Sequence, residues 1–431
     1  MKVMKWSVIA VAVAAGTSQM ALASSQSESE GFVEGSSLKI LNRNLYMNRD
    51  FRDNGNSPPV DADGNPTGEN GQSYREEWGH GFIGTFESGF TQGTIGVGVD
   101  AIGLLGVKLD TGRGRAGNGL FPRDADGRAR DDYSEAGAAI KFRASNTVLK
   151  YGTQFVALPV FSTDDSRLLP ETAVGTIISS SEIEGLELNA GRFTALNAQA
   201  ATGHDSFDDD GIKLNSINFA GGTYAISDAL SASLYYSDVD AQVLDDFKKY
   251  YGNLNYNMDL GAEQSLAFDF NIYKTDVDAA DSDNTIWSLA STYKVGAHGF
   301  TVAHQRSSGD AGYYYGVDGN GTIWLSNSVQ YSDFNGEDEK SWQARYDLNM
   351  ASYGVPGLSF MTRYLKGYDI STDTGEGKER EWDVEAKYVV QEGAAKDLSV
   401  RLRHAKYWAN SNYGTDLTDL RLIVEYPLSI L

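Results

Sequence analysis

The stretch LSVRLRHAKYW, residues 398–408, carries Arg401 and Arg403 two positions apart, with Leu398, Val400 and Leu402 on the alternate positions. In extended backbone that spacing puts both guanidinium groups on one face and the apolar side chains on the other. A guanidinium fork donates to both oxygens of a carboxylate and stays charged at any relevant pH. Two forks in line can therefore replace part of the hydration of a passing carboxylate, one after the other, without holding it so tightly that it cannot leave. Arg345 shares a face with Gln343 and Asp347, opposite Trp342, Ala344, Tyr346 and Leu348. Arg421 and Glu425 oppose Leu420, Leu422, Val424 and Tyr426, and Arg143 in AAIKFRAS and Arg363 in LSFMTRYL follow the same alternation. A plainer reading stands beside this one: each arginine pairs with an acid of the same wall, such as Asp269, Asp347, Asp383, Glu385 or Glu425.

The elements that must hold these residues are strands. Period-two segments run through the chain: LSASLYY from Leu230, SLAFDFNIY from Ser265, SWQARYDL from Ser341, EWDVEAKYVV from Glu381 and LRLIVEYPLSIL at the end. No long helical periodicity is present. Eight short, turn-forming sites separate them, at Gln92-Gly93, Ser145-Asn146, Glu184-Gly185, Ser227-Asp228, Leu260-Gly261, Gly296-Ala297, Pro356-Gly357 and Gly393-Ala394. The other connections are long and acidic, such as RDNGNSPPVDADGNPTGENGQ. Short turns at one end and long loops at the other are the asymmetry of an outer-membrane barrel. Eight turns leave nine segments, each wide enough for two strands, so the expected fold is all-β: an 18-stranded antiparallel transmembrane β-barrel with some long loops folded into the pore. So wide a barrel cannot be filled by strand side chains and encloses water. An arginine on the lipid face at mid-bilayer would cost roughly 2–4 kcal/mol, so the arginines should face the lumen. His404 and Lys406 fall on the lipid side and should lie near the membrane edge. The segment VALPVFSTDDSRLLPETAVG is more apolar than the other loops and is expected to fold inward as a constriction. Arg167 belongs to it, near the constriction or as an anchor to the wall. The interval from 297 to 356 is the longest between turns, so the seventh loop, around residues 308–335, is large.

Composition narrows the function. Among 431 residues the formal net charge is −23, which excludes a nucleic-acid partner, because phosphate binding needs a basic surface. There are no cysteines, so thiolate catalysis and Cys-based metal sites are excluded. Lys2 and Lys5, the apolar run WSVIAVAVAA and Ala21-Leu22-Ala23 form the three parts of a secretory signal peptide. Residues 1–23 are read as that leader and 24–431 as a single barrel domain. No later segment approaches 18 consecutive apolar residues. His80, His204, His298, His304 and His404 are scattered singly, without zinc spacing, and the acidic runs at Asp61, Asp124 and Asp208 contain no complete calcium loop. No cofactor is expected. An outer-membrane enzyme would need a local nucleophile motif such as G-x-S-x-G, which is absent, and an adhesin would not require lumen arginines. Both remain alternatives.

The sequence resembles the OprD family of substrate-specific outer-membrane porins. The likeness rests on GFVEGSSLKILNRNLYMNRDF, ESGFTQGTIGVGVDAIGLLGVKLD, RLLPETAVG, EQSLAFDFNIYKT, LSNSVQYSDFNGEDEKSWQARYDLNMASYGVPGLSF, VEAKYVVQEGAAKDLSVRLR and LRLIVEYPLSIL, spread over almost the whole chain. It implies an 18-stranded barrel in the bacterial outer membrane, no enzymatic activity, and passive uptake of small carboxylate solutes such as amino acids, small peptides or aromatic acids. It also implies an inward row of basic residues, to which Arg43 and Arg49 belong by matching the family motif. In the seventh loop the resemblance implies an acidic pocket for a cationic side chain, with Asp310, Asp318 and Tyr313 of the tyrosine cluster as its residues. GNGT replaces the acid expected before the apolar part of that loop. The partners implied are outer-membrane lipid and lipopolysaccharide, the barrel assembly machinery and the solute itself, with the protein a monomer or loose trimer. The chain ends on Leu431 where many barrels end on an aromatic residue.

Overall fold

The computed structural model describes residues 26–52, 73–112, 114–206, 211–242, 246–278 and 282–431. The expected leader and the acidic runs at Asp61 and Asp208 lie outside them. The strands are β1 (Ser37–Asp50), β2 (Tyr74–Glu87), β3 (Ile95–Asp110), β4 (Asp132–Ala144), β5 (Thr147–Gln154), β6 (Ala157–Leu158), β7 (Phe161–Ser162), β8 (Thr172–Ile183), β9 (Leu186–Asn197), β10 (Lys213–Ala225), β11 (Leu230–Gln242), β12 (Phe247–Gly261), β13 (Gln264–Val277), β14 (Ser282–Val295), β15 (His298–Gly309), β16 (Lys340–Asn349), β17 (Leu358–Ile370), β18 (Gly377–Val389), β19 (Ser399–Ala409) and β20 (Leu417–Ser429). Strands β6 and β7 form a separate two-stranded hairpin, and the other eighteen form one antiparallel sheet. It closes because β1 pairs with β20 as well as with β2, so no backbone edge is left.

Seven of the eight turn sites fall between paired strands, and the eighth, Leu260-Gly261, closes β12 just before the turn into β13. At Glu184-Gly185 the glycine takes φ +75°, the left-handed conformation that a tight hairpin requires. Three links are longer than a hairpin turn. Between β16 and β17 the chain makes a 3-10 turn at Met350–Tyr353, between β18 and β19 it runs through residues 390–398, and between β2 and β3 it spans residues 88–94. In that last link Phe90 is buried under the guanidinium of Arg143, 4.2 Å from the ring centre. Turn residues mark where a strand ends, but a buried aromatic within the link lengthens it.

Two apolar clusters lie inside the barrel and fasten the loops to opposite walls. One joins the third loop (Val156, Leu158, Val160, Phe161) and the seventh (Tyr313, Val317, Leu325) to inward residues of β9–β14, among them Phe193, Phe219, Tyr251 and Tyr273. The other joins Leu120 and Phe121 of the second loop and Leu168 and Leu169 of the third to Leu45, Met47, Ile83 and Leu104 on β1–β3. The third loop thus crosses the lumen, as its apolar composition predicts. At one end Arg43 on β1 donates to Asp165, and at the other Tyr273 on β13 donates its hydroxyl to the carbonyl of Pro159. Gly79 and Gly81 on β2 make room for it, since a Cβ there would lie 2.6–2.7 Å from atoms of Leu168. Neither cluster extends over β16–β19. That arc is charged.

Candidate functional site: the charged arc of the lumen

On β16–β20 and β1 the inward positions form cross-strand rungs. Below Gln343, Leu365, Glu381, Tyr407 and Leu417, which lie nearer the loop end, Arg345, Arg363, Asp383, Ala405, Asp419 and Arg49 are successive partners. One rung further in come Asp347, Met361, Glu385, Arg403 and Arg421. Below these lie Lys387 and Arg401, and then Glu425 beside Arg43. Alternate residues along a strand are about 6.6 Å apart, so the cations descend from the loop end to the middle of the barrel in short steps. Alternation in the sequence produces this arc because each strand presents its polar set to the same side.

Most of these arginines are held by acids. Arg43 donates to Asp165 at 2.6 Å and to Glu425 at 2.8 Å. Arg49 and Arg421 share Asp419, whose carboxylate is fully buried. Arg345 binds Asp347 in a two-pronged arrangement at 2.8 and 2.7 Å, and Arg363 binds Asp383 at 2.6 Å. The plainer reading of wall arginines as partners of wall acids therefore describes these five. Asp269 is occupied by asparagines instead, Asn253, Asn255 and Asn271.

Arg401 and Arg403 differ. They stand 3.7 and 3.3 Å from a single shared carboxylate, Glu385, without a hydrogen bond to it, and the Arg403 Nε is unpartnered. Their side chains keep 29% and 20% of their surface accessible, the largest share after Arg345 among the wall arginines. Lys387 adds a third cation within electrostatic reach of Arg401 and Glu385. Three cations facing two acids, Glu385 and, for Lys387, Glu425, leave an excess positive charge directed into the lumen.

The third loop contributes from the other side. Arg167 donates to the carbonyl of Asn118 and to Ser166, and among the described residues no acid lies within ion-pairing distance of it. Burial, with repulsion from Arg421 and Arg49, lowers its guanidinium to about 10, still charged at neutral pH. Further along, Glu171 ties the third loop to the seventh, accepting N–H groups from Asp164 and from the backbone and side chain of Asn320. Burial, reinforced by Asp164, pushes its carboxyl up to about 8. The docked state thus keeps a proton that a solvated carboxyl gives up near 4.3. The stabilisation this linkage supplies is complete below that value and is lost as pH rises through about 8. Open-channel current noise should therefore grow between about pH 5 and pH 8, and Glu171→Gln should flatten that dependence.

Not every expected residue joins the arc. Arg143 points inward on β4 but sits beside the turn end, where it donates to Gln26 and covers Phe90. Asp310 is exposed at the end of β15, apart from the arginines. Asp318 is wholly buried and bound at 2.5 Å to Lys249, equally buried, while Tyr313 donates to the carbonyl of Thr322 and lies 4.6 Å from the same ammonium. These two form an internal knot in the seventh loop, with the acid already neutralised, and do not face the arginines as an open acidic pocket. Lys387 was legible as an alternate partner of Asp383 and Glu385 in EWDVEAKYVV. Lys249 was not, since its partner lies 69 residues away. Among the described residues no group of three or more His, Cys, Asp or Glu side chains is placed to hold a metal ion.

A family model described as outer membrane porin, OprD family, matches residues 30–430. The chain belongs to the OprD family. Porin D of Pseudomonas aeruginosa is 49% identical over 464 residues, covering all of both chains, and the porin-like protein GalP of Pseudomonas putida is 34% identical over 94% of this chain and 95% of its own. Among solved structures, OccAB1 of Acinetobacter baumannii superposes with a TM-score of 0.85 at 32% identity, covering 95% of this chain and 100% of that one. OpdK of Pseudomonas aeruginosa, solved with vanillate, gives 0.80 at 33% identity, covering 93% and 100%. This OprD-family barrel lies in the bacterial outer membrane, and its relatives are porins, which are channels rather than enzymes.

Proposed function

We propose that the barrel admits small carboxylate-bearing solutes by passive diffusion, and that Arg401 and Arg403 receive the carboxylate as it passes the third loop. The reading rests on one contrast: five wall arginines are hydrogen-bonded to acids, whereas these two share Glu385 at 3.7 and 3.3 Å with no hydrogen bond. An incoming carboxylate finds donors there that need not first be pulled from a partner, so the exchange costs little in either direction. Arg421 and Lys387 flank the pair on its own rungs, beside Arg403 and Arg401 respectively, Arg167 adds a cation from the third loop, and Arg43 lies below. The vanillate in the OpdK structure is a carboxylate of the proposed class. A cationic group on the solute would have to be met elsewhere than Asp318, which Lys249 occupies.

The test is flux. In liposomes carrying the Arg401→Ala/Arg403→Ala double variant, uptake of small carboxylates should fall about tenfold, while an uncharged sugar of equal size permeates as before. Equal carboxylate uptake in a variant with normal heat-modifiable mobility would remove these two arginines from the pathway.

A further inference from the structure

The outer wall carries its own cations. Near the loop end the outward positions of β15–β19 form two rungs: His304, Trp342, Lys366, Arg380 and Trp408, then Val302, Ala344, Tyr364, Trp382 and Lys406. Trp342, Tyr364 and Trp382 are 43–49% exposed, so this face looks away from the lumen. Arg380 and Lys406 lie 5.0 and 4.6 Å from the centre of the Trp408 ring, and Trp382 is fixed by donating its indole N–H to Thr362. Lys366 is exposed beside Arg380. Among the described residues none of these three cations has an acidic partner. On the opposite arc the rim lysines are neutralised locally, Lys248 by Asp278 and Lys274 by Asp276.

We propose that Lys366, Arg380 and Lys406, with Trp408 between the last two, form a binding site for the phosphorylated sugar headgroup of the outer-leaflet glycolipid. The height is right. Two rungs nearer the turns the outward residues are Leu348, Phe360, Ala386, Leu402 and Leu422, an apolar band suited to acyl chains. Cations in that band would be costly, but two to three rungs above it they meet the charged headgroup layer, where the cost is near zero. The three are clustered positive charges, without an acidic partner among the described residues, in a chain of net charge −23. Indole rings pack against sugar and the acyl boundary, while the cations they support are held out from the wall for a phosphate.

Native mass spectrometry of the full chain in detergent, with added diphosphoryl lipid A, tests the site. One lipid should remain bound to the unmodified chain, with affinity falling at least about tenfold in Lys366→Ala/Arg380→Ala/Lys406→Ala. Lys248→Ala/Lys274→Ala should bind as the unmodified chain does. Dephosphorylated lipid A should bind the unmodified chain as weakly as diphosphoryl lipid A binds the triple variant. Undiminished binding by the triple variant, equal binding of the dephosphorylated lipid, or equal competition by phosphatidylglycerol would each overturn the assignment. Heat-modifiable mobility shows that the variant barrels have folded.

Discussion

Lys249→Met is expected to undock the seventh loop. Lys249 and Asp318 are both wholly buried, and the ammonium also donates to the carbonyl of Tyr314. Removing one member of such a pair leaves a charge without compensation and typically costs about 3–5 kcal/mol. Asp318 keeps only N–H and O–H donors from Gly316 and Thr322, which do not offset the loss of a cation. The docking equilibrium should move by about a hundredfold or more. Limited proteolysis within residues 310–339 and bursts of larger current in single-channel records report it. The double variant Lys249→Met/Asp318→Leu should recover much of the loss, because replacing both charges with apolar groups of similar volume is close to neutral. If Lys249→Met is as protease-resistant and as quiet as the unmodified channel, the pair does not hold the loop.

Excising the third loop should widen the channel and blunt its discrimination together. Gln154 and Ala173 are direct partners on β5 and β8, so a short turn can join them once residues 156–170 are removed. The eighteen-strand ladder does not depend on the loop, and the shortened barrel should fold. Its lumen would lose Arg167, Asp165 and the bridge from β1 to β13. Conductance should rise roughly threefold or more, as expected when a constriction is taken from a water-filled pore. Preference for carboxylates over uncharged solutes should shrink even though Arg401 and Arg403 remain, because passing solutes are no longer pressed against the charged arc. A shortened channel with unchanged conductance would place the constriction elsewhere.

The sequence made the wall legible, but not its pairing or its depth. Alternation identifies a face, because a one-residue shift sends every side chain to the other side. It therefore put Arg345, Arg363, Arg401, Arg403 and Arg421 inward, and His404 and Lys406 outward. Alternation does not encode height along the barrel axis. Arg143 passes the same test yet belongs to the turn end, under Phe90 and beside Gln26. Nor does it reveal partners from distant loops. Asp318 reads as an available acid until Lys249 is placed on it, and the hold of Asp165 on Arg43 needs the third loop to cross the lumen. The inward fold of that loop was legible for a different reason: LPVF and LLPE are too apolar for a segment left in water.

The closure between β1 and β20 bears on how the protein is made. Arg43 and Glu425 meet across that seam from positions 382 residues apart, and Arg49 and Asp419 meet there too. They belong to the seam between β1 and β20, whose contacts are the most remote in sequence among the described residues, and their loop-closure entropy delays them to the end of folding. A barrel caught open lacks both ion pairs, and with them one flank of the charged arc. Closing the barrel and completing that flank of the charged arc are consequently a single event.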